Sequence, residues 1–344
     1  MGVTGTNRFL KRHPRFKVAI IGAVAIAGFS VLGALGTASP VSGPAAASTA
    51  GTGRANAAPS STPAPAGLTS PSGVTTSAEP AKPATTAKPR AAKLPRPAHI
   101  VIVLEENKSP KLLASHAPYI AALERHGANF TDAFAETHPS QPNYLALFSG
   151  STHGVTSDAC PQTFGGGNLG AQLLSAGRTF KGYAESMPSD GYTGCTSGLL
   201  YARKHTPWVD FSTVPRSDSL RYSHFPQHNF AALPTVSFVT PNLCDDMHDC
   251  SVARGDAWLK ANLSAYASWA KSHNSLLIVT FDEAEGGVPN RIPLVMYGAP
   301  IVTGVYAQKV NHYSILRTIE DMYGLRCLGN ACDVKPMTAA FTAP

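Results

Sequence analysis

Two acidic segments that are far apart in the sequence each follow a short apolar run. A Glu-Glu-Asn triplet at 105–107 comes directly after residues 99–104, and an Asp-Glu pair at 282–283 comes directly after residues 276–281. Such β-branched runs are typical of buried strands in a parallel sheet, and ligands collect outside the carboxyl ends of these strands. We therefore expect the two segments to meet. Gathered carboxylates repel each other unless a cation or protons lie between them, so the pattern predicts a metal ion and chemistry on an anion.

A serine is placed to act as a nucleophile in this chemistry. Ser140 lies between a predicted strand and a helix predicted to begin at Pro142, because proline suits the first helical position. Free N–H groups and the helix dipole favour an anion there, and a nearby metal ion would lower the pKa of the hydroxyl. The alternative is that Ser140 only caps the helix, and position alone favours the cap because capping serines are commoner.

A third polar segment, residues 244–250, carries three aspartates and a histidine between two cysteines. A disulfide across this segment would hold Asp246 and His248 toward one end of the sheet, as metal ligands or phosphate contacts. A solvated acidic loop that is stapled for stability explains this segment equally well when it is considered alone.

Basic and imidazole side chains near these segments are candidates for binding phosphate. His312 directly precedes a predicted helix, and His138 lies beside the candidate nucleophile. Arg203 and His205 belong to the one short basic run of the domain, which is a candidate phosphate clamp, although such runs are more often solvated surface. A single histidine is also more often a structural group than a ligand, so only those beside the motifs support a hypothesis.

The elements that must position these residues alternate between strand and helix, which predicts an α/β fold with a mostly parallel central sheet. The predicted strands cover residues 100–104, 128–134, 179–184, 235–240, 276–281 and 292–297. The predicted helices cover residues 118–126, 142–148, 169–176, 252–272 and 313–323.

The charges are distributed unevenly along the chain. The first 98 residues contain 11 Lys and Arg and one acid, whereas the remaining 246 contain 17 basic and 20 acidic residues. A nucleic-acid-binding protein would be expected to carry its positive charge on the folded domain, so nucleic acid is excluded as a partner. A small or membrane-borne substrate is favoured instead.

The N-terminal part of the chain has the layout of an export signal. Five Lys and Arg within the first 17 residues precede an uncharged stretch at 18–38, so residues 1–47 are predicted to direct secretion. That stretch is also long enough to span a membrane, and an uncleaved anchor on the outer face of the cytoplasmic membrane is the alternative. Residues 48–96 are rich in Ala, Pro and Thr and predict a disordered linker. Residues 97–344 then form one catalytic domain, expected to be a monomer.

All six cysteines lie in this domain. An even number in an exported protein predicts disulfides, and no pair has the C-x-x-C spacing of a structural zinc site. Many connectivities are open, and we expect the pairing of sequence neighbours, 160 with 195, 244 with 250 and 327 with 332.

The order of these motifs resembles the bacterial phosphoesterase family of secreted acid phosphatases and phospholipases C. The segments 135–140, 142–148, 201–205 and 246–249 look most like the short actinobacterial secreted acid phosphatases that act on phosphatidylinositol 3-phosphate. The resemblance covers residues 97–325 and implies an α/β/α sandwich similar to the alkaline phosphatase superfamily.

The resemblance also implies roles for individual residues. Ser140 would be the nucleophile, and His248 and His312 would take part in catalysis. The implied metal ligands are Glu106, Asp282 and Glu283, with Asn107 contacting metal or phosphate and Asp246 as a further candidate ligand. The 244–250 segment does not reproduce the Asp-x-x-x-His spacing of two-metal superfamily members, which leaves open a single-metal site or one that holds no metal tightly.

We therefore expect a secreted phosphomonoesterase that acts through a phosphoserine intermediate with a divalent metal ion of unspecified identity. Its substrate would be a small phosphate monoester or a phosphoinositide headgroup. A phospholipase C-type phosphodiesterase with the same core is the alternative, although the domain is short for that branch. The alternative from another class is a non-catalytic binding protein displayed on the cell envelope, against which the intact Ser140 and both acidic segments argue.

Overall fold

The computed structural model describes residues 94–286 and 289–342. All the described elements and the whole described core lie in one compact unit, residues 82–344. The predicted export signal or anchor and nearly all of the predicted linker fall outside the described residues. Within the described ranges, no helix is long and apolar enough to cross a membrane.

An eight-stranded sheet forms the centre of the domain, in the order β11-β2-β10-β9-β1-β8-β4-β7. Its strands are β1 (His99–Glu105), β2 (Ala128–Phe130), β4 (Phe180–Ala184), β7 (Ser219–Arg221), β8 (Val236–Thr240), β9 (Ser275–Phe281), β10 (Leu294–Gly298) and β11 (Gly304–Tyr306). Every neighbouring pair is parallel except those that include β10. This arrangement confirms the mostly parallel sheet predicted from the sequence.

The helices cover the sheet in two layers. They are α1 (Pro110–Leu113), α2 (Pro118–His126), α3 (Ser140–Ser149), α4 (Leu169–Ser175), α5 (Val252–Ala270) and α6 (His312–Tyr323). One layer consists of α2 and α5, which pack on each other and on β10, and the other of α3, α4 and α6. Every residue of α3 is buried, so this helix lies inside the domain.

Four short strands lie outside the main sheet, in two pairs. They are β3 (Ala133–Phe134) with β12 (Val310–Asn311), and β5 (Thr196–Ser197) with β6 (Tyr201–Ala202). The strand predicted at 128–134 is therefore two strands, because β2 pairs with β10 and β11 whereas β3 pairs with β12. The helix predicted to begin at Pro142 begins at Ser140 instead.

The three disulfides join Cys160 to Cys195, Cys244 to Cys250 and Cys327 to Cys332. This is the expected pairing of neighbours. The middle disulfide closes the acidic segment that follows β8, and the first one ties the base of the β5–β6 hairpin to residue 160.

Parallel pairing brings the acidic segments to one edge of the sheet. Glu105 pairs with Phe281 in the register of β1 and β9, and the Asp282 N–H donates to the Glu105 carbonyl over 3.0 Å. On the other side of β1, the Glu106 N–H donates to the carbonyl of Asp246 over 2.8 Å. Three separate parts of the sequence therefore meet at the carboxyl end of β1.

Candidate active site

Ser140 is the first residue of α3 and points toward the carboxylates at the end of β1. Pro139 occupies the N-cap position, and the loop before the helix is held by Asn143. The Asn143 carboxamide oxygen accepts from the N–H groups of Glu136 and Thr137, each over 3.1 Å. The Ser140 hydroxyl makes no capping bond and donates to Glu106 Oε2 over 3.0 Å. The interpretation of Ser140 as only a helix cap is therefore wrong.

The other acids of the cluster lie within a few ångströms of the same hydroxyl. Ser140 Oγ is 3.4 Å from Glu283 Oε1, and the backbone N–H of Asn107 donates to Asp282 Oδ1 over 3.0 Å. The side-chain amide of Asn107 lies among these groups. The amide atom that points into the cluster is 3.0 Å from Glu106 Oε2 and 3.1 Å from Asp282 Oδ1. The structure thus brings together Ser140 and four predicted oxygen ligands.

His205 supplies positive charge to one side of the cluster. Its Nε2 lies 3.0 Å from Glu106 Oε1 and its Nδ1 lies 3.2 Å from Asp246 Oδ2, and all three side chains are buried. Burial lowers the pKa of His205, but Glu106 and Asp246 outweigh that effect and raise it to about 10. Burial likewise raises the pKa of Glu106, yet the adjacent imidazolium lowers it to about 2. The pair is therefore ionised at neutral pH.

The burial of Asp282 and Glu283 is offset less fully by positive charge than the burial of Glu106. Burial and the nearby Glu106 raise the pKa of Asp282 well above its usual range. Burial also raises the pKa of Glu283, although His138 opposes this effect with Nδ1 placed 2.5 Å from Glu283 Oε2. His138 therefore lies at the cluster as expected, but its Nδ1 contacts the Glu283 carboxylate and does not point into the space where phosphate would bind.

The segment closed by the Cys244–Cys250 disulfide contributes Asp246 to the cluster, whereas His248 of the same segment lies outside it. Asp246 reaches His205, as described above, and its Oδ1 accepts from the N–H of His248 over 2.8 Å. The His248 ring instead lies 2.7 Å from Asp249 Oδ1 and its centroid is 5.8 Å from that of His205. His205 therefore lies between His248 and Glu106, and the structure shows no contact between His248 and Ser140.

Two other predicted site residues, His312 and Arg203, lie away from the Ser140 hydroxyl. His312 is fully buried between Glu136 Oε2, 2.5 Å from its Nδ1, and the Phe281 carbonyl, 2.9 Å from its Nε2. It supports the strand end that carries Asp282 and does not face the cluster. In that position both ring nitrogens of His312 are engaged by other groups, so the structure supports a positioning role rather than the predicted catalytic one.

The expectation that Arg203 clamps phosphate is corrected by its contacts. Its guanidinium is buried and donates to Asp210 Oδ1 over 2.9 Å and to the carbonyls of Thr193 and Gln162, each over 2.7 Å. With these donors engaged inside the protein, Arg203 holds the loops around the first disulfide together.

Two residues near the cluster, Tyr144 and Asp158, were not predicted, and Lys204 was predicted only as part of the basic run. Tyr144 donates to Glu106 Oε1 over 2.5 Å, and its ring stacks on His205 at 5.0 Å. It could have been found, because it lies one helical turn after Ser140 on the same face of α3. Lys204 Nζ lies 2.8 Å from Asp158 Oδ2, and the other oxygen of Asp158 accepts from the Gln141 N–H over 3.0 Å. Nothing in the sequence around Asp158 points to this position.

The oxygen atoms at this edge suit a hard divalent cation. Mg²⁺ and Ca²⁺ take oxygen ligands from carboxylates and amides. Oxygens of Glu106 and Glu283 lie 3.0 and 3.4 Å from Ser140 Oγ, which places carboxylates from two segments around one point. In the described ranges, no three His, Cys, Asp or Glu side chains are arranged to hold a metal ion. A cation here would therefore need oxygens from Ser140 or Asn107 as well.

Sequence comparisons give a consistent result. The profile of the Phosphoesterase family matches residues 110–326. A phosphatidylinositol-3-phosphatase of Mycobacterium tuberculosis is 53% identical over 245 residues, which cover 70% of this chain and 82% of that protein. A phosphate-repressible acid phosphatase of Penicillium chrysogenum is 31% identical over 235 residues, which cover 61% of this chain and 55% of that protein. The chain thus spans about half the length of this fungal relative.

A solved structure shares the fold. A protein of the alkaline phosphatase superfamily from Vibrio parahaemolyticus matches with a TM-score of 0.50 at 12% identity over 72% of each chain. At this identity the likeness concerns the fold alone, and it confirms the expected α/β/α sandwich.

Proposed function

The chain belongs to the Phosphoesterase family, as its motifs indicated, and on that premise we propose that it is a secreted phosphomonoesterase acting on phosphoinositide headgroups. Its relatives establish a hydrolase of phosphoric ester bonds. The preference for a phosphoinositide is supported by the name of the mycobacterial relative, and the match covers 82% of that relative's length. Secretion is supported by three disulfides, which persist in oxidising compartments.

The observation that carries this proposal is the position of the Ser140 hydroxyl. It lies at the N-terminus of a buried helix, where an anion is favoured, and 3.0 Å from a carboxylate that stays ionised beside His205. We infer that Ser140 is the nucleophile. A serine that served only the fold would not need to share its hydroxyl with acids from two distant segments, Glu106 and Glu283.

A divalent cation fits the donor set and is part of the proposal. Glu106, Asp282 and Glu283 would hold it together with Asn107, whose side-chain amide lies 3.0 to 3.2 Å from oxygens of all three. Carboxylate and amide oxygens are the ligands that hard divalent cations take. When bound, such a cation would lower the pKa of the serine hydroxyl and neutralise phosphate charge.

The protein's own residues would then carry the remaining steps. The Ser140 hydroxyl proton passes to Glu106 Oε2, to which it already donates, as Ser140 Oγ attacks phosphorus. A new O–P bond forms, and the bond from phosphorus to the inositol oxygen breaks. The leaving alkoxide takes a proton, for which His138 is the half-exposed imidazole at the cluster. His205 and Lys204 supply positive charge that stabilises the negative charge building up on the transferring phosphoryl group. Water then attacks the phosphoserine and releases phosphate.

Replacing Ser140 with alanine tests this proposal. We expect kcat on p-nitrophenyl phosphate and on a short-chain phosphatidylinositol 3-phosphate to fall by at least about a thousandfold, as for the loss of a covalent nucleophile. The melting temperature should change little. Ser149→Ala is the matched control, since Ser149 is a buried serine of the same helix that donates to the Leu145 carbonyl over 2.8 Å.

A substrate panel separates the proposed activity from that of a diesterase. We expect hydrolysis of p-nitrophenyl phosphate and none above background with p-nitrophenylphosphorylcholine. A folded Ser140→Ala protein that retains normal turnover would remove Ser140 as the nucleophile. Efficient cleavage of the diester by the wild-type protein would instead replace the monoesterase.

A further inference from the structure

Exposed apolar side chains are concentrated at the same end of the domain as Ser140. Within the described ranges, five large apolar side chains are exposed, namely Leu112, Leu199, Leu200, Val302 and Val305. The first three lie on connections that leave the carboxyl ends of the parallel strands. Val302 follows the antiparallel β10, which ends at the opposite edge of the sheet, and Val305 lies on the edge strand β11.

The β5–β6 hairpin holds two of these leucines at its tip. Leu199 is 88% exposed and Leu200 is 41% exposed. The hairpin is held at its base by the disulfide at Cys195 and at its tip by the N–H of Leu243, which donates to the Leu200 carbonyl over 2.9 Å. A fixed loop that presents leucine to water gains nothing for the fold, because isolated apolar side chains are stabilising only when they are covered.

The segment that contains α1 presents a second apolar side chain together with positive charge. Leu112 is 40% exposed, and Lys108 and Lys111 lie on the same short segment. This segment is tied to the loop after β9, because Glu285 Oε1 accepts from the Ser109 hydroxyl over 2.6 Å. The combination of lysine and exposed leucine is typical of surfaces that bind anionic lipid.

The two features flank the candidate active site. The α1 segment is attached to the loop after β9, and the hairpin is attached to the loop after β8. Strand β1, whose end carries Glu106, lies between β9 and β8 in the sheet. A flat surface that contacts both leucine sites would therefore lie over the mouth of the Ser140 site.

We propose that this end of the domain docks on an anionic lipid bilayer through Leu112 and the Leu199–Leu200 hairpin tip. This inference rests on the proposed function and adds to it that the phosphoinositide is taken from the bilayer rather than from solution. The leucines enter the interface between headgroups and acyl chains, and Lys108 and Lys111 face the anionic headgroups. Docking then raises the rate on membrane-borne substrate without changing the chemical step at Ser140.

The test compares one phosphoinositide in two physical states. The wild-type protein, a Leu199→Ser/Leu200→Ser double variant, Leu112→Ser and the control Val305→Ser are assayed on short-chain phosphatidylinositol 3-phosphate in solution. They are also assayed on the long-chain lipid in phosphatidylcholine/phosphatidylserine vesicles. Val305 is a matched control because it is 72% exposed but lies on the edge strand β11.

We expect the double variant to lose about tenfold in kcat/KM on vesicles and less than about twofold on the soluble lipid, from the apolar area no longer inserted. Leu112→Ser should show a smaller loss of the same kind, and Val305→Ser none. Sedimentation with phosphatidylcholine/phosphatidylserine vesicles that lack phosphoinositide should show the same order of binding. Each variant is also made in a chain that starts at residue 94, the first described residue, which removes ten of the eleven basic residues of the N-terminal segment that could hold the protein on the vesicles.

Three results would overturn the docking proposal. They are equal losses on the soluble and vesicle substrates, a loss in Val305→Ser as large as in the double variant, and unchanged vesicle sedimentation, which would point to a protein partner. Failure of the proposed function gives a different pattern. The wild-type protein would then leave the soluble lipid intact, and sedimentation alone would decide whether this surface binds a bilayer.

Discussion

Replacing Arg203 with methionine should destabilise the domain and leave phosphate binding unchanged. Methionine keeps much of the side-chain volume but removes the donors to Asp210 and to the carbonyls of Thr193 and Gln162. Breaking a buried ion pair by removing one partner costs about 3 to 5 kcal/mol. In a domain of this size, each kcal/mol lowers the melting temperature by roughly 2 to 4 °C. The variant should therefore melt about 10 °C lower at neutral pH.

The size of this effect should depend on pH, with a sign set by Asp210. Burial raises the pKa of Asp210 to about 6, although Arg203 acts in the opposite direction. A carboxyl whose pKa is raised in the folded state contributes stability that is present at low pH and is lost as pH rises through about 6. Without Arg203 the pKa rises further and the loss at neutral pH is larger. At pH near 5, Asp210 is largely protonated in both proteins, so the difference in melting temperature should shrink.

Calorimetric melting at pH 5 and pH 7.5, with kinetics on p-nitrophenyl phosphate well below the melting transition, measures both effects. Arg216→Met is the control for loss of an arginine, because Arg216 lies nearby in sequence and is exposed. The reasoning would be refuted by an unchanged melting temperature with a KM raised about tenfold. That outcome would return Arg203 to the role of phosphate clamp.

Two further results are expected. Chelation of divalent cations should abolish hydrolysis, and added Mg²⁺, Mn²⁺ or Ca²⁺ should restore it; full activity in a protein shown to be metal-free by elemental analysis would contradict the cation. Glu320→Gln should flatten the pH dependence of stability, because burial raises the pKa of Glu320 to about 8 and its ionisation therefore opposes folding as pH rises. In urea unfolding at pH 9 the variant should be more stable by roughly 2 to 4 kcal/mol, and equal stability would refute this.

The fold was predictable where local sequence reports burial on both faces. Strands β1 and β9 are continuous apolar runs because each is covered by helices on both sides, and their ends were placed within a residue. Most strands of two or three residues, such as β5 and β12, carry no periodic pattern and were missed. The antiparallel direction of β10 depends on pairing with a distant strand, so local sequence does not record it.

The site was predictable where strand ends placed polar residues at a common edge. The sequence could not choose between Glu105 and Glu106 on its own, since neighbouring residues of a strand point to opposite sides. In the structure, Glu106 faces Ser140. Glu105 is buried, and neither of its carboxylate oxygens has a hydrogen-bond partner among the described residues, while burial and Asp246 raise its pKa well above the usual range.

The basic run shows why a motif of adjacent residues cannot be assigned as a unit. Residues 203–205 form one tight turn of helix, so their side chains diverge. Arg203 points to Asp210, Lys204 to Asp158, and His205 to Glu106. The sequence predicted a phosphate clamp for the run as a whole, but the planar guanidinium of Arg203 donates to three acceptors inside the protein.

The charge balance of the cluster explains why a cation or proton is needed before phosphate can bind. Four acidic side chains, from Glu106, Asp246, Asp282 and Glu283, lie close to the imidazolium of His205 and the imidazole of His138. A phosphate dianion would therefore approach a net negative site unless positive charge is added. Protons and a divalent cation compete for the same oxygens, because burial already raises the pKa of Asp282 well above its usual range. If a cation is bound there as proposed, its removal should therefore weaken phosphate binding unless protons take its place.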